Sequence, residues 1–423
     1  MAVAMRQHRA HSTSGQLCRA LPLAVLIPFL LAMTWACSSS PAARFTNPWP
    51  ATVTGSNPAG SAHTDQCQIP DDVDLVLVGT LVDGTGADPL PQAAVAIRGQ
   101  RIVAVGPRDK LVIPDGAQVY DLPRATLLPG FVNAHVHNGY SRGPLSTWAR
   151  AGVTTVRDLG QRYPFPYFTT RDRLNGDPNL ARLVAAGPLV TVPGGYPIAG
   201  NNFPSLTVTS PQDARQKIAS LIDDGADVIK ITLTSGRAPS LSAEEAAAIV
   251  ETAHQNGVPV TAHATTAYDL QRALDAGVDD VAHMATDRVS SRLLNRMVDA
   301  GVYWVPTLHA LDGQGASNLR RFVSAGGKVA LGNDAGYLDG LEIGMPRREI
   351  ELMHKAGMTP MQIIVAATKH SSEVCRLDHL LGTLEVGKLA DVLVVKGNPL
   401  RDLAVLGNVQ LVVHHGVVIV EAQ

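Results

Sequence analysis

Between residues 129 and 381, short apolar runs alternate with helical stretches, and this rhythm limits the fold more than any other feature. Parallel strands need a crossover of a dozen or more residues, which a helix supplies, so the alternation reads as repeated β-α units. The runs fall near Val132–His137, Thr154–Asp158, Leu183–Ala186, Val228–Thr232, Val260–His263, Asp280–His283, Tyr303–Leu308 and Val329–Gly332. Helix signals stand between them. In SAEEAAAIVETAHQNG, Ser242 precedes Glu245 at the spacing of a capping box, and Gly257 ends the run. AYDLQRALDAG and SRLLNRMVDAG start and stop in the same way. Eight such units over about 250 residues predict a (β/α)8 TIM barrel, an α/β fold.

The flanks have another texture. VDLVLVGTLVDGTG and AVAIRGQRIVAVGP alternate apolar with small or polar residues around Gly and Asp-Gly turns, and ADVLVVKGNPL and VQLVVHHGVVIV repeat this near the other end. Neither piece can bury a core alone. Residues 73–128 and 382–423 are therefore expected to form one small β-sandwich from both ends of the mature chain. His414 and His415 are expected on its surface.

The apolar share of 45% supports a sizeable core. A net charge of −2, no long basic run and 4% aromatics argue against nucleic acid as a partner. Residues 1–37 read as an export signal: Arg6, Arg9 and Arg19, then LPLAVLIPFLLAMTWA, then Cys37. Pro22, Pro28 and the short apolar length disfavour a permanent span. Cys37 after Thr-Trp-Ala is similar to a lipoprotein signal, which would attach the protein to a membrane. Thr34 stands where such signals usually carry leucine, so simple cleavage and secretion stays open. Residues 38–72 read as a flexible tether. Cys67 and Cys375 are able to pair in an exported protein or to remain separate thiols.

Chemistry gathers at the strand ends. His135 and His137 flank one valine. Residues i and i+2 of a strand share a side, roughly 6.6 Å apart, and side chains so spaced can converge on one ion. A barrel's active site lies at the C-terminal ends of its strands. Lys230 shares a face with Val228 and Thr232, while Ile229 and Ile231 suit the helix-covered side, so Lys230 points inward. A lone buried ammonium is costly. Either a carboxylate such as Asp334 pairs with it, or the amine carries CO2 as a carbamate, an oxygen anion able to bridge two metals. His263, His283 and Asp334 end three further runs.

In order, HVH, IKI, AHA, VAHM and GNDAG resemble the metal-dependent amidohydrolase superfamily, as do LLPGFVNAHVH and GTLEVGKLADVLVV. The resemblance runs from Val73 to about Val420 and lies nearest the imidazolonepropionase-like branch, which includes Xaa-Pro-type dipeptidases. It implies that His135, His137 and Asp334 hold the more buried of two divalent ions, and His263 and His283 the more exposed. Carboxylated Lys230 and a hydroxide would bridge them. Nitrogen and oxygen donors suit Zn2+, with Mn2+ or Co2+ as further candidates. Two departures stand out. Asn333 occupies the place of a usual threonine before Asp334, and Gly194-Gly195-Tyr196 replaces Gly-Gly-His in a pocket loop.

The expected reaction is hydrolysis of an amide or peptide bond in a small substrate such as a dipeptide or N-acyl amino acid. The bridging hydroxide would attack the carbonyl, and Asp334 would carry the proton to the leaving nitrogen. Tyr196 and His309 are candidate substrate contacts. Tyr163, Phe165, Tyr167 and Phe168 either wall a pocket or pack under a loop. His254, His354, His370 and His379 read as structural or surface. A mononuclear deaminase or cyclic-amide hydrolase is the nearest alternative, but Ala264, Thr265 and Thr266 follow His263 where those sites carry a glutamate. Lactonase or esterase chemistry and a non-catalytic ligand-binding lipoprotein are the others. Barrels of this type often pair, which makes a homo-oligomer an expectation.

Overall fold

The computed structural model describes residues 67–236 and 238–422. The export signal with Cys37, and the tether up to residue 66, lie outside the described residues. No described helix is long and apolar enough to cross a membrane.

The expected parallel strands are present: β1 (Phe131–Val136), β2 (Val153–Asp158), β3 (Arg182–Ala185), β4 (Ile229–Thr232), β5 (Val260–His263), β6 (Asp280–Ala282) and β7 (Tyr303–Val305). β1, β2 and β3 form one parallel sheet. β4 to β7 pair in order in a second, which begins with the short strands Leu206–Thr207 and Val190–Thr191. The Asp227 N–H, two residues before β4, donates to the Ala185 carbonyl at the end of β3 (3.0 Å).

The expected eighth strand differs. Val329–Gly332 makes no ladder of its own, only one isolated bridge, from Val329 to Trp304. Yet its backbone bonds both neighbours: Ala330 N–H to the Trp304 carbonyl of β7 (3.0 Å), and Ala134 N–H of β1 to the Leu331 carbonyl (2.7 Å). The reason for the irregularity lies just beyond, where Asp334 turns into the left-handed region at φ 61° and breaks the pleat.

Helices cover the outer face as the caps foretold. Ser242 and Glu245 bond reciprocally at the start of the helix Ala243–Gln255. Thr266 and Ser290 cap Ala267–Ala276 and Ser291–Asp299 through their side chains. Ile229, Ile231, Val260 and Ala262 share one buried apolar cluster with Ile249, Ala253 and Leu270 of the helices. On the inner face, Val132, Val184, Val305 and Ala330 pack with Val374, Cys375 and Leu381. Cys375 is a free buried thiol, not half of a disulfide.

Both ends of the described chain enter one seven-stranded sheet. Its order is Val417–Glu421, Val409–His414, Val392–Lys396, Gln118–Pro129, Leu75–Leu81, Leu90–Arg98 and Arg101–Pro107. One face buries Leu77, Val95, Leu127, Val394 and Leu411 together. The strand Cys67–Gln68 pairs with Leu111–Val112, and Ile69 is buried, so ordered backbone precedes Val73.

His414 and His415 are not on the surface; both are buried. His414 Nδ1 lies 2.8 Å from Asp391 and its Nε2 3.1 Å from the Leu180 carbonyl. His415 Nε2 lies 3.2 Å from Arg182, which also donates to Asp391 (2.8 Å) and Thr155 (2.9 Å). The alternation rule applies to a free sheet face, and here strand β3 and its lead-in cover that face.

Candidate metal centre

β1 delivers His135 and His137 to a common point. Their Nε2 atoms lie 3.0 Å and 3.1 Å from the same oxygen, Oδ1 of Asp334. The backbone fixes this. Asp334 N–H donates to the His135 carbonyl (2.9 Å), and His137 N–H donates to the Ala335 carbonyl (2.7 Å). Such closeness requires glycine on either side. A Cβ at Gly332 would lie 2.7 Å from the His135 Cβ, and one at Gly336 only 2.0 Å from the His137 carbonyl oxygen. Asn333 takes up the place left by the usual threonine: its Oδ1 accepts from Asn133 (2.8 Å), and its Nδ2 donates to the Glu342 carbonyl (2.9 Å).

The donor set fits a cation. Both ring nitrogens of His135, Nζ of Lys230 and Oδ1 of Asp334 are buried without a hydrogen-bond partner. The 3.0 Å approach of His135 to Asp334 is close in distance but lacks hydrogen-bond geometry. Orphaned buried polar atoms each cost about 1–3 kcal/mol, and those of His135 and Asp334 that face one another call for a shared partner. Ligand atoms of His135, His137 and Asp334 all lie within 4.8 Å of one another.

His263 ends β5, and His283 stands one residue past β6 in the left-handed region at φ 71°. The His283 ring lies 4.9 Å from His135 and 4.5 Å from His263. The outer nitrogens of two histidines are tied: His137 Nδ1 donates to the Gly160 carbonyl (2.9 Å), and His283 Nδ1 meets the Thr307 hydroxyl (2.8 Å). Both contacts leave Nε2 free for the centre.

Burial, then the charge of Lys230, drives His135 and His263 down to about 3. Burial also depresses His283. Neutral imidazoles are the form that ligates. Burial opposes His137 too, but the Asp334 carboxylate outweighs it and raises that ring. Asp334 stays well below the usual carboxylate range; the surrounding imidazoles overcome its burial. Burial brings Lys230 down to about 7, so its amine is substantially neutral near physiological pH. The pairing of Lys230 with a carboxylate is not formed, since Nζ has no partner. Beneath it, Arg157 and Asp280 make a fully buried two-pronged ion pair (2.8 and 2.9 Å).

Of the substrate candidates, Tyr196 lies over His263 at 4.8 Å between ring centroids. His309 is held by its backbone N–H, and its Nδ1 is buried without a partner. Tyr167 and Phe168 pack beneath a loop with Tyr140, while Tyr163 and Phe165 are exposed.

Four groups were missed from sequence. Tyr337 covers His137 at 4.7 Å, and its hydroxyl donates to Gln161 (3.0 Å). Asp158 accepts the N–H groups of Gly139 (2.8 Å) and Gly160 (3.0 Å), and burial lifts it to about 6. Arg157 pairs across the strands. Glu349 is fully buried and lifted to about 8 by burial. Only Glu349 left a trace: it stands between Met345 and Met353 on the apolar stripe of its helix.

The α/β scaffold thus sets four imidazoles and a carboxylate at or near its strand ends, with a lone amine inside β4, donor types that suit a hydrolytic metal centre. Residues 126–419 match the amidohydrolase family, and the chain belongs to that family. It is a hydrolase acting on carbon–nitrogen bonds of the amide type. The family is generally metal-dependent, and His135, His137 and Asp334 form a candidate site. The chain is 25% identical over 429 residues to ochratoxinase of Aspergillus niger, covering 84% of this chain and 86% of that one. It is 26% identical over 398 residues to imidazolonepropionase of Symbiobacterium thermophilum, covering 76% and 91%. It is also similar to a Xaa-Pro dipeptidase crystallised with methionine in its active site, with TM-score 0.73, 28% identity, and 82% and 100% covered.

Proposed function

We propose that the chain is a two-metal hydrolase of amide or peptide bonds in small substrates such as dipeptides and N-acyl amino acids. In this reading the parallel strands and the segment 328–335 close into a (β/α)8 barrel, and the seven-stranded sheet curls into a sandwich. His135, His137 and Asp334 hold one ion, and His263 and His283 the other. The observation that carries the reading is Lys230: buried, unpartnered and close enough to His135, His263 and His283 for its charge to act on them. Its neutral amine would add to CO2, forming an N–C bond and releasing a proton, and the resulting carbamate anion would replace a costly buried cation with oxygen donors for the ions.

When bound, the ions supply water acidic enough to ionise near neutral pH and a Lewis acid for the scissile carbonyl. Asp334 is ionised and faces the centre, so it accepts the proton of the attacking water and hands it to the leaving nitrogen. Tyr196 over His263 and Tyr337 over His137 would restrict how the substrate lies, and His309 is a further candidate contact. An exported protein, lipidated at Cys37 or cleaved there, completes the proposal.

The test is metal content per chain together with hydrolysis of a dipeptide and N-acyl amino acid panel, for wild type and Lys230→Ala. Two ions per chain and turnover are expected, with both reduced in the variant. One ion per chain and unchanged turnover in the variant would favour the mononuclear alternative.

A further inference from the structure

Glu349 lies on the helix Arg347–Lys355 at a position that faces apolar neighbours, and it makes no ion pair among the described residues. Its two oxygens accept two consecutive backbone N–H groups, Leu308 to Oε1 (2.9 Å) and His309 to Oε2 (2.7 Å). A buried carboxyl group whose two oxygens are both spent on one loop holds that loop tightly, because leaving either amide unsatisfied is costly. The loop begins at Thr307, a β-branched residue in the left-handed region at φ 46°, where it stays only if its surroundings force it. Its other flank is also pinned: His283 N–H donates to the Val305 carbonyl (2.9 Å), and Met284 N–H to the Pro306 carbonyl (3.1 Å). Between these clamps the Thr307 hydroxyl meets His283 Nδ1 (2.8 Å).

We propose that Glu349 is a positioning residue that acts through the Leu308 and His309 amides and the Thr307 hydroxyl to aim His283 Nε2 at the second ion. The proposal rests on the two-ion reading above. It gives the helix a function at the centre without contact to substrate or ion. It also fixes the backbone from which His309 projects.

The test is a competition titration of ion-free protein with Zn2+ against a chelator near neutral pH, for wild type, Glu349→Gln and Thr307→Val. Glu349→Gln keeps the shape but can accept only one of the two amides. The expected result is two binding steps in wild type. In both variants one step weakens about 10–100-fold and the other is unchanged. The double variant loses no more than the stronger single one, because both act on the same contact. If Glu349→Gln does not fold, Thr307→Val carries the test, since it removes only the hydroxyl contact. Folded variants that bind both ions as wild type does overturn the inference while the two-ion reading stands. A single step in wild type overturns both.

Discussion

Burying Lys230 Nζ without a partner opposes folding, either as a desolvated ammonium or through the cost of giving up its proton, whenever no CO2 or ion joins it. Lys230→Met removes the charge and keeps the stem. The ion-free variant should gain about 1–4 kcal/mol by denaturant unfolding, the range found when buried ionic groups give way to apolar ones. Ion binding should fall at the same time. A loss of stability instead would mean the amine has a partner. Asp334→Asn should bind ions more weakly and lose turnover by about 10²–10⁴-fold, the worth of general acid–base catalysis, read by steady-state kinetics on any substrate the panel identifies. His263, His283 and Asp334 were legible because each ends a run of recognisable pattern, His135 and His137 because they sit two apart near a strand's end, and Lys230 because alternation turns it inward within its strand. Tyr337 and Asp158 were not, for different reasons. Tyr337 sits in an irregular segment that no periodicity places. Asp158 ends β2, but its partners are backbone amides of Gly139 and Gly160, which carry no side-chain signature.

At the scale of single elements, caps and most strand ends were readable, and the eighth strand was not. Ser242→Ala removes the hydroxyl that accepts the Glu245 N–H, while the Ser242 N–H keeps its bond to the Glu245 carboxylate, and should cost about 1 kcal/mol in thermal or denaturant unfolding. A cap is a local contract between residues three apart, which is why the sequence displays it. The eighth run shows the opposite case. Its composition is that of a strand, but its geometry is set by the approach of Gly332 to His135, a tertiary fact. The end of β2 offers a test by pH. Burial lifts the Asp158 carboxyl from 3.8 to about 6. Between those values the folded protein binds more protons than the unfolded chain, so this contribution is fullest below the window and is lost as pH rises through it. The loss is on the order of 2–3 kcal/mol. Asp158→Asn should remove that slope. Plotted against pH from 4 to 7, the stability difference between wild type and variant, both ion-free, should change by that amount; a flat difference would place Asp158 in solvent-like surroundings.

Across the whole molecule, the parallel strands and the seven-stranded sheet share a polar joint. Asp391 precedes the strand Val392–Lys396, accepts from Arg182 of β3, and faces His414 at the end of Val409–His414. Its backbone carbonyl accepts the Gly130 N–H immediately before β1 (2.8 Å). Arg182 and His414 hold its carboxyl well below the usual range despite burial. One carboxylate therefore touches the entrance of the catalytic strands and two strands contributed by the far end of the sequence. Nothing in the linear pattern announces this, because the participants lie more than 200 residues apart, as with Arg182 and Asp391. Asp391→Ala leaves Arg182 buried without its carboxylate and should cost about 3–5 kcal/mol, as broken buried pairs do. The consequence reaches further if the joint makes the two parts one cooperative unit. Calorimetry of the variant should then show a single transition at lower temperature, with near-UV signals from Trp148 and Trp304, both in the core against the parallel strands, melting together with the far-UV signal of the sheet. Two separated transitions would show instead that the sheet folds on its own account and that Asp391 merely fastens it.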